Sequence, residues 1–384
     1  MADILKLNAI SPLADEYFAG CNYSDKVTDP DGIMVRSAAM ADYPVGAKLL
    51  AVARAGAGTN NIPVADYAAK GIVVFNTPGA NANAVKELVV CELFLGGRKI
   101  TDAIDWVKTL KGTAELSKTV EKGKSNFVGC EITGKTLGVI GLGAIGIAVA
   151  NAAIALGMKV VGCDPFLSTA NALLLNPSVK VVATREQVYA QADFITVHVP
   201  ITPETKGMFN EATIAQLKDG AVLINNSRGE LADDGAVIKA LESGKLGRYI
   251  TDFPTDKLIG VKNAICVPHL GASTPESEDN CAVMAARQLK DYLDNGNIVN
   301  SVNYPAVSAP REGKARICVH HKNVANMIAQ FTAAVSAKGL NIANMSDKSK
   351  GEYAYSIIDV DGTPDKSLAG EIAKIDGVIR VRII

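Results

Sequence analysis

Apolar residues in the first hundred positions fall into short runs separated by polar or alanine-rich stretches. The runs lie at residues 4–7, 33–35, 49–53 and 72–75. Regular alternation of this kind predicts a parallel sheet whose strands are joined by crossover helices. We therefore expect a first α/β sheet within residues 1–97.

A second set of apolar runs starts after residue 136 and contains almost no polar residues. Uninterrupted runs are typical of strands whose two faces are both buried. These runs lie at residues 137–140, 160–163, 194–199, 221–224, 249–250 and 264–267. They predict a second parallel sheet, which a helical pattern at residues 276–295 follows.

The pattern changes again at residues 303–314, where two prolines and few apolar residues predict a linker. Beyond the linker we expect a strand, a helix, a hairpin, a helix and a closing strand, at residues 316–321, 323–338, 341–345 with 352–360, 364–375 and 378–384. This βαββαβ order predicts a small ferredoxin-like domain.

Composition narrows the class of protein. The 384 residues suffice for two or three domains, with 48% hydrophobic and 21% charged residues, as in a folded protein. The net charge of −1 argues against nucleic acid or an anionic membrane as a partner. Seven cysteines without a CxxC pair are typical of reduced cytosolic thiols. With no signal-peptide or membrane-spanning pattern, we expect a soluble cytoplasmic protein.

Three glycines, Gly141, Gly143 and Gly146, follow the first run of the second sheet and lead into an alanine-rich helix. A Gly-x-Gly-x-x-Gly motif alone is as easily a tight turn, but a strand, the glycines and a helix together form the arrangement that binds a dinucleotide. The start of the helix, with Ala144 and Ile145, offers free N–H groups to a pyrophosphate.

Asp164 ends the next run, 23 residues after Gly141. A carboxylate at this place accepts hydrogen bonds from the adenosine ribose. Its charge opposes a 2′-phosphate, and no Arg follows within the next three residues to bind one. The predicted cofactor is therefore NAD rather than NADP, in a domain of the Rossmann type.

Three candidate catalytic side chains, Arg228, Asp256 and His269, follow separate predicted strands. The carboxyl ends of parallel strands form the edge where ligands bind, so these groups can reach one crevice. Each also has a plain structural interpretation: Arg228 as a surface cation, Asp256 as a loop acid and His269 as a packed histidine.

Together the three groups fit hydride transfer between a 2-hydroxy acid and a 2-keto acid. A protonated His can donate the proton that a reduced ketone needs, and can remove it again in the reverse direction. A carboxylate on the other ring nitrogen orients the imidazole and favours its charged form. An Arg can bind the substrate carboxylate and stabilise the developing oxyanion. This chemistry requires no metal.

Several segments resemble the D-isomer specific 2-hydroxyacid dehydrogenase family. They are Ala-Arg-Ala-Gly-Ala-Gly-Thr-Asn at 53–60, Asn-Thr-Pro-Gly at 76–79, the glycine motif at 141–146, His-Val-Pro at 198–200, Asn-Ser-Arg-Gly at 226–229 and Pro-His-Leu-Gly-Ala-Ser-Thr at 268–274. They span residues 50 to 275 in family order. Within the family, the chain is similar to the members that oxidise 3-phospho-D-glycerate to 3-phosphohydroxypyruvate with NAD, the first step of L-serine biosynthesis.

The resemblance implies that Arg228 and His269 are the catalytic pair. It implies further contacts with NAD from the residues His198, Val199, Pro200, Thr205, Asn226, Ser227, Asp252, Gly271 and Ala272. Substrate contacts are expected from Arg54, Ala57, Gly58, Asn81 and Arg228, with Arg54 able to meet a phosphate. Asp256 stands where the family usually has a Glu, one methylene longer.

The resemblance also implies the domain organisation. A flavodoxin-like substrate-binding domain of residues 1–97 and 283–303 would contain an inserted NAD-binding domain of residues 98–282. The linker would be residues 304–314, and residues 315–384 would form an ACT domain, an amino-acid-sensing module. Its expected contacts with L-serine are His321, Asn323 and Asn341. The alternative is that the domain has a purely structural pairing role. Both folds usually pair symmetrically, so we expect a homodimer or homotetramer.

Two other functions stay open at this point. One is a reductase of glyoxylate or hydroxypyruvate from the same family. The other is a non-catalytic NAD-sensing binding protein, against which Arg228 and His269 argue.

Overall fold

The computed structural model describes the backbone of residues 1–384 and every side chain except that of residue 366. Its strands, in chain order, are β1 (Asp3–Lys6), β2 (Asn22–Ser24), β3 (Gly32–Val35), β4 (Ala51–Arg54), β5 (Val73–Phe75), β6 (Thr136–Ile140), β7 (Lys159–Cys163), β8 (Lys180–Val181), β9 (Phe194–Val197), β10 (Ala221–Asn225), β11 (Leu246–Thr251), β12 (Ala264–Cys266), β13 (Ala315–Lys322), β14 (Ile342–Lys350), β15 (Tyr353–Val360) and β16 (Val378–Ile383).

The helices of the described chain are α1 (Val64–Ala69), α2 (Ala82–Gly97), α3 (Ile100–Lys108), α4 (Leu116–Gly123), α5 (Ala144–Ala155), α6 (Thr169–Leu174), α7 (Arg185–Tyr189), α8 (Glu211–Ala215), α9 (Asp234–Ser243), α10 (Pro275–Asn295), α11 (Met327–Ala337) and α12 (Lys366–Ala373). None of these helices is long and apolar enough to cross a lipid bilayer. The chain divides into two compact units: a first unit of residues 1–81 with 275–384, and a second unit of residues 82–274.

The first unit contains a five-stranded parallel sheet in the order β2-β1-β3-β4-β5. This is the flavodoxin-like order that the family resemblance implies. Helix α10 covers the sheet so closely that a Cβ at Gly32 would lie 3.0 Å from the Leu289 side chain. The predicted apolar runs form β1, β3, β4 and β5, whereas the short polar strand β2 lies at the sheet edge and was not predicted.

The C-terminal part of the first unit is an antiparallel sheet in the order β14-β15-β13-β16. Together with α11 and α12, this is the predicted ferredoxin-like βαββαβ arrangement. Buried Phe331, Leu368 and Ile372 fill the space between these helices and the sheet. Helix α11 starts at Met327 rather than at 323, and its N-cap is Asn326 in the left-handed conformation, φ +68°.

The predicted linker is packed rather than free. Tyr304 is fully buried, and its hydroxyl donates a 2.7 Å hydrogen bond to the carbonyl of Ala68. Residues of β13 and β15 share one hydrophobic core with α10, and the Tyr292 hydroxyl lies 2.8 Å from His320 Nε2. The C-terminal sheet therefore shares a hydrophobic core with the first sheet. Aromatic residues of the predicted linker and of α10 fill this core.

The second unit is a seven-stranded parallel sheet in the order β12-β11-β10-β9-β6-β7-β8. Counted from the edge strand β8, the first six strands of this sheet have the strand order of a Rossmann fold, which confirms the predicted fold class. The two-residue exposed strand β8 was not predicted. Helix α2 was expected in the first domain, but it packs on α5 and lies within the second unit, so the unit boundary falls at 81/82 instead of 97/98.

Candidate active site

The glycine motif forms a turn that admits no side chains at two of its three positions. Gly141 follows β6 with φ +92°, and a Cβ there would overlap the carbonyl of His198. A Cβ at Gly146 would overlap the carbonyl of Gly141. Close passage of α5 past the strand ends therefore requires glycine at both places.

Gly143 is different, because a Cβ there would meet nothing within 4 Å. It precedes the twelve-residue helix α5, whose N-terminus has no side-chain cap. The free N–H groups and the space in front of them suit a pyrophosphate. The side chains present therefore fit a dinucleotide at this turn.

Asp164 lies beside the same turn, at the end of β7. Its Oδ2 accepts a 2.8 Å hydrogen bond from the backbone N–H of Leu142, and its Oδ1 accepts one of 2.8 Å from Phe166. The carboxylate is thus held next to the glycine motif, as predicted for a group that contacts the ribose. Its remaining lone pairs are free to accept hydroxyl protons.

The segment after β9 forms the opposite wall of the turn. His198 Nε2 lies 3.0 Å from Thr196 Oγ1, and burial lowers the pKa of this imidazole to about 4. Thr205 closes the following loop by donating a 2.7 Å hydrogen bond to the carbonyl of Pro200. Val199 also lies here, with a side-chain carbon 2.9 Å from the position of a Cβ at Gly141.

Arg228 projects, exposed, from a turn after β10. Buried Asn225 closes this turn, because its Nδ2 donates to the Arg228 carbonyl at 2.9 Å and its Oδ1 accepts from Ser227 N at 3.2 Å. The Ser227 hydroxyl donates to the Val197 carbonyl at 2.7 Å. Sequence reasoning missed Asn225, although an amide at the end of an otherwise apolar buried run was a signal.

Asp252 is a buried carboxylate on which the charges of Arg228 and His269 act. It is fully buried just after β11, and its Oδ2 accepts a 3.1 Å hydrogen bond from the N–H of Gly271. Burial raises the pKa of Asp252, and the positive charges of His269 and Arg228 oppose that rise. The structure therefore brings Arg228, Asp252 and His269, which follow three neighbouring strands, into one electrostatic cluster.

The predicted pairing of Asp256 with His269 is not formed in this structure. His269 is exposed, and its ring packs against Phe253 with 4.7 Å between ring centroids. Asp256 is exposed as well, and within the described side chains it has no hydrogen bond or ion pair to His269. Its shorter side chain lies on a solvent-facing loop, so its catalytic role stays a prediction.

Two further residues belong to this cluster: Asn226, which was predicted, and Glu92, which was not. Glu92 of α2 is 1% exposed, and its Oε2 accepts a 2.6 Å hydrogen bond from Nδ2 of Asn226. Burial, and to a lesser degree the charge of Asp252, raises the pKa of Glu92 to about 8. No local pattern pointed to Glu92, because its partner is 134 positions away in sequence.

The predicted substrate contacts other than Arg228 lie in the first unit. Arg54 ends β4, is half-buried and donates from Nε to the carbonyl of Arg36 at 3.1 Å. Ala57 is exposed, and its carbonyl accepts a 2.6 Å hydrogen bond from Asn76. Gly58 and Asn81 are partly buried, and the Oδ1 of Asn81 has no hydrogen-bond partner among the described residues. Their joint contact with a substrate stays a prediction.

The three predicted serine contacts do not meet within one chain. The ring of His321 is buried, with Nδ1 2.9 Å from the Lys322 carbonyl and Nε2 3.0 Å from Asp347 Oδ1. Asn323 is next to the Lys322–Tyr353 end of the β13–β15 pair, and Asn341 is hydrogen-bonded to Asp361 beyond the other end. Seven residue steps along β15 separate these ends by roughly 23 Å.

No group of three or more metal-ligating side chains comes together within the described residues.

Comparison with known proteins places the chain in a family. Residues 98–271 match the model of the D-isomer specific 2-hydroxyacid dehydrogenase NAD-binding domain. A D-3-phosphoglycerate dehydrogenase of Haemophilus influenzae is 35% identical over 349 residues, which cover 88% of this chain and 82% of that protein.

Other relatives extend the comparison. A D-3-phosphoglycerate dehydrogenase of Synechocystis is 36% identical over 74% of this chain, but this chain spans only half of that protein's length. The NAD-bound 3-phosphoglycerate dehydrogenase of Entamoeba histolytica is 28% identical with a TM-score of 0.61, covering 78% of this chain and 98% of that one. D-mandelate dehydrogenase of Rhodotorula graminis shares the fold, with a TM-score of 0.68 at 22% identity over 81% of this chain and 99% of that one.

The fold and the glycine turn define an NAD-dependent dehydrogenase, which confirms the predicted cofactor. The chain belongs to the D-isomer specific 2-hydroxyacid dehydrogenase family.

Proposed function

We propose that this protein oxidises 3-phospho-D-glycerate to 3-phosphohydroxypyruvate, the entry to L-serine synthesis. The observation that carries the proposal is the cluster of Arg228, Asp252 and His269 at the carboxyl edge of the seven-stranded sheet. The names of the relatives that match most of this chain support the phosphorylated substrate.

Residues of this chain transfer the substrate's hydroxyl proton and stabilise the negative charge on the reacting oxygen. NAD, when bound on the Gly141–Gly146 turn, supplies the hydride acceptor. His269 takes the proton of the substrate hydroxyl during oxidation and returns it to the ketone oxygen during reduction. Arg228 binds the substrate carboxylate and stabilises negative charge on the reacting oxygen. Buried Asp252 attracts the positive charges of both groups and keeps their loops in place.

Arg54 is the candidate partner of the substrate phosphate. Its half-buried guanidinium packs over Gly56, where a Cβ would overlap Nη1 of Arg54. A planar guanidinium matches two phosphate oxygens at once. A substrate without phosphate should therefore have a lower kcat/KM.

A homodimer is part of the proposal. Helices α3 and α4 bury no residue of their own in this chain, and Ile104, Val107 and Leu116 are each about half exposed. Apolar helix faces of this kind favour a second copy as the partner. Ile104→Glu with Val107→Glu should convert the dimer to a monomer in analytical ultracentrifugation.

L-serine is the proposed effector. The βαββαβ sheet and the exposed amides of Asn323 and Asn341 support this role. Since these amides lie at opposite ends of one sheet, one serine would be shared between two copies. Calorimetry with millimolar L-serine should show binding heat, and Asn323→Ala should remove it.

The central experiment is a substrate panel followed by NADH absorbance. Purified protein should consume NADH with phosphohydroxypyruvate and should prefer it to hydroxypyruvate and glyoxylate. His269→Ala should lose nearly all turnover while still binding NADH. Equal kcat/KM for unphosphorylated substrates would identify a reductase instead, and tight NADH binding without any turnover would favour an NAD sensor.

A further inference from the structure

Within the part of the chain that the structure describes, three buried oxygens around the candidate active site have no hydrogen-bond donor. They are Oε1 of Glu92, Oδ1 of Asn226 and Oδ1 of Asp252, and all three belong to the second unit. A buried acceptor without a donor is costly, and two buried carboxylates would repel each other as well. One proton in this group would supply a donor and remove the repulsion.

Glu92 connects two parts of the site. Its Oε2 accepts from Asn226, which lies in the turn that carries Arg228. The negative charge of Asp252, which holds Gly271 in the loop that carries His269, acts on Glu92. Burial raises the pKa of both carboxyl groups. Asp252 also lies near two positive charges that favour its ionised form, whereas among the described residues the charge that acts on Glu92 is the negative charge of Asp252.

Helix α5 and strands β10 and β11 pack against α2, and none of their described residues is a cation partner of Glu92. Helix α5 and strand β10 carry no charged residue. Strand β11 carries Arg248, which is paired with Asp102, and Tyr249. The proton therefore belongs on Glu92 rather than on Asp252.

We propose that Glu92 is a positioning residue held as a neutral acid, which shares its proton with the neighbouring buried oxygens. Asp252 then carries the single negative charge beneath Arg228 and His269. Ionisation of Glu92 would add a second buried charge, and the two loops would lose their arrangement. This inference rests on the proposed function for its catalytic meaning, but the protonation state can be measured without turnover.

The direct test is infrared spectroscopy of the full-length protein. At about pH 6.5, wild type should show a protonated-carboxyl band that shifts on labelling with carbon-13 glutamate and disappears on titration to about pH 10. Glu92→Gln should lack this band, and the matched variant Glu87→Gln, exposed on the same helix, should keep it. Absence of a glutamate-dependent band in wild type would overturn the proposal, whether or not the variants fold.

Kinetics gives the second readout. The amide of Glu92→Gln retains an acceptor for Asn226 and a donor, so kcat for reduction should stay within about threefold at pH 7, and activity should persist to higher pH than in wild type. Glu92→Ala should lower kcat at least tenfold with little change in KM for NADH. An alkaline limb that is the same in Glu92→Gln as in wild type would contradict the proposal. Lack of turnover in wild type would instead contradict the proposed function, whereas the infrared test would still measure the protonation state of Glu92.

Discussion

Gly271 donates its backbone N–H to Oδ2 of Asp252 at 3.1 Å, which ties the loop after β11 to the loop that carries His269. Asp252 is fully buried and lies in the electrostatic field of both His269 and Arg228. A carboxylate that interacts with a cationic acid and a substrate-binding Arg can hold both groups in place. Asp252, rather than Asp256, is therefore a carboxylate whose charge interacts with that of His269 in this structure.

Asp252→Asn should lower kcat for reduction by roughly 10- to 100-fold. The amide keeps the size of the side chain but removes the negative charge that attracts the protonated ring of His269. Steady-state kinetics of NADH consumption with phosphohydroxypyruvate would measure this loss.

Asp256→Asn is the matched comparison, since this exposed side chain makes no contact with His269 in the described structure. Its kcat should stay within about threefold of wild type. A loss with Asp256→Asn that equals the loss with Asp252→Asn would show that Asp256 reaches the ring during turnover.

The two glycines Gly143 and Gly146 should respond differently to alanine. Gly146→Ala places a methyl group onto the Gly141 carbonyl, so it should destabilise the protein by about 1–3 kcal/mol or more. Gly143→Ala meets nothing within 4 Å and should keep the wild-type Tm while it weakens NADH binding. Calorimetry and NADH fluorescence separate these effects. Unchanged NADH affinity in Gly143→Ala would show that the pyrophosphate does not lie against this residue.

The sequence predicted the sheets well where strands are buried on both faces. The runs at residues 137–140 and 160–163 became β6 and β7 because only an interior strand tolerates so few polar residues. Strands β2 and β8 carried no such signal, since they lie at sheet edges and face solvent. The linker prediction failed to foresee that Tyr304 is buried, because its partner Ala68 is far away in sequence.

Local motifs predicted the site only in part. The glycine turn, Asp164 and the strand-end placement of Arg228 and His269 are local features, and their positions in the second unit agree with the prediction. The role of Glu92 could not be predicted locally, and neither could the choice between Asp252 and Asp256 as the carboxylate near His269. Both depend on which side chains the fold brings under the sheet edge. The contact of Glu92 with Asn226 joins residues 134 positions apart and leaves no local pattern.

His198 should make the protein sensitive to acid. Its pKa is about 4 in the folded state and near 6.5 when unfolded, so below pH 6.5 the unfolded chain binds a proton that the folded chain does not. The contribution to stability is present above pH 6.5 and is lost as the pH falls to 4. At ~1.4 kcal/mol per pH unit, reduced for partial exposure, the loss is about 1–3 kcal/mol.

Comparison of wild type with His198→Gln by urea unfolding at several pH values would measure this contribution. The free energy of unfolding of wild type should fall relative to that of the variant between pH 6.5 and 4. A difference that stays constant across this range would show that the folded protein protonates His198 as readily as the unfolded chain does.

Arg316 and Asp359 form an ion pair in which both side chains are fully buried. The guanidinium donates to both oxygens of Asp359, at 2.6 and 2.8 Å, and to the carbonyls of Asn295 and Pro310, at 2.8 Å each. It therefore links the antiparallel sheet to the end of α10 and to the segment predicted as a linker.

Arg316→Met should destabilise the protein by about 3–5 kcal/mol, because it leaves the Asp359 carboxylate buried without its cation. Arg311→Met, at an exposed position nearby in sequence, should change the free energy of unfolding by less than about 0.5 kcal/mol. Adding Asp359→Leu to Arg316→Met removes the unpaired charge and should restore part of the loss. If urea unfolding instead finds Arg316→Met within about 1 kcal/mol of wild type, the C-terminal sheet does not depend on this pair for its attachment.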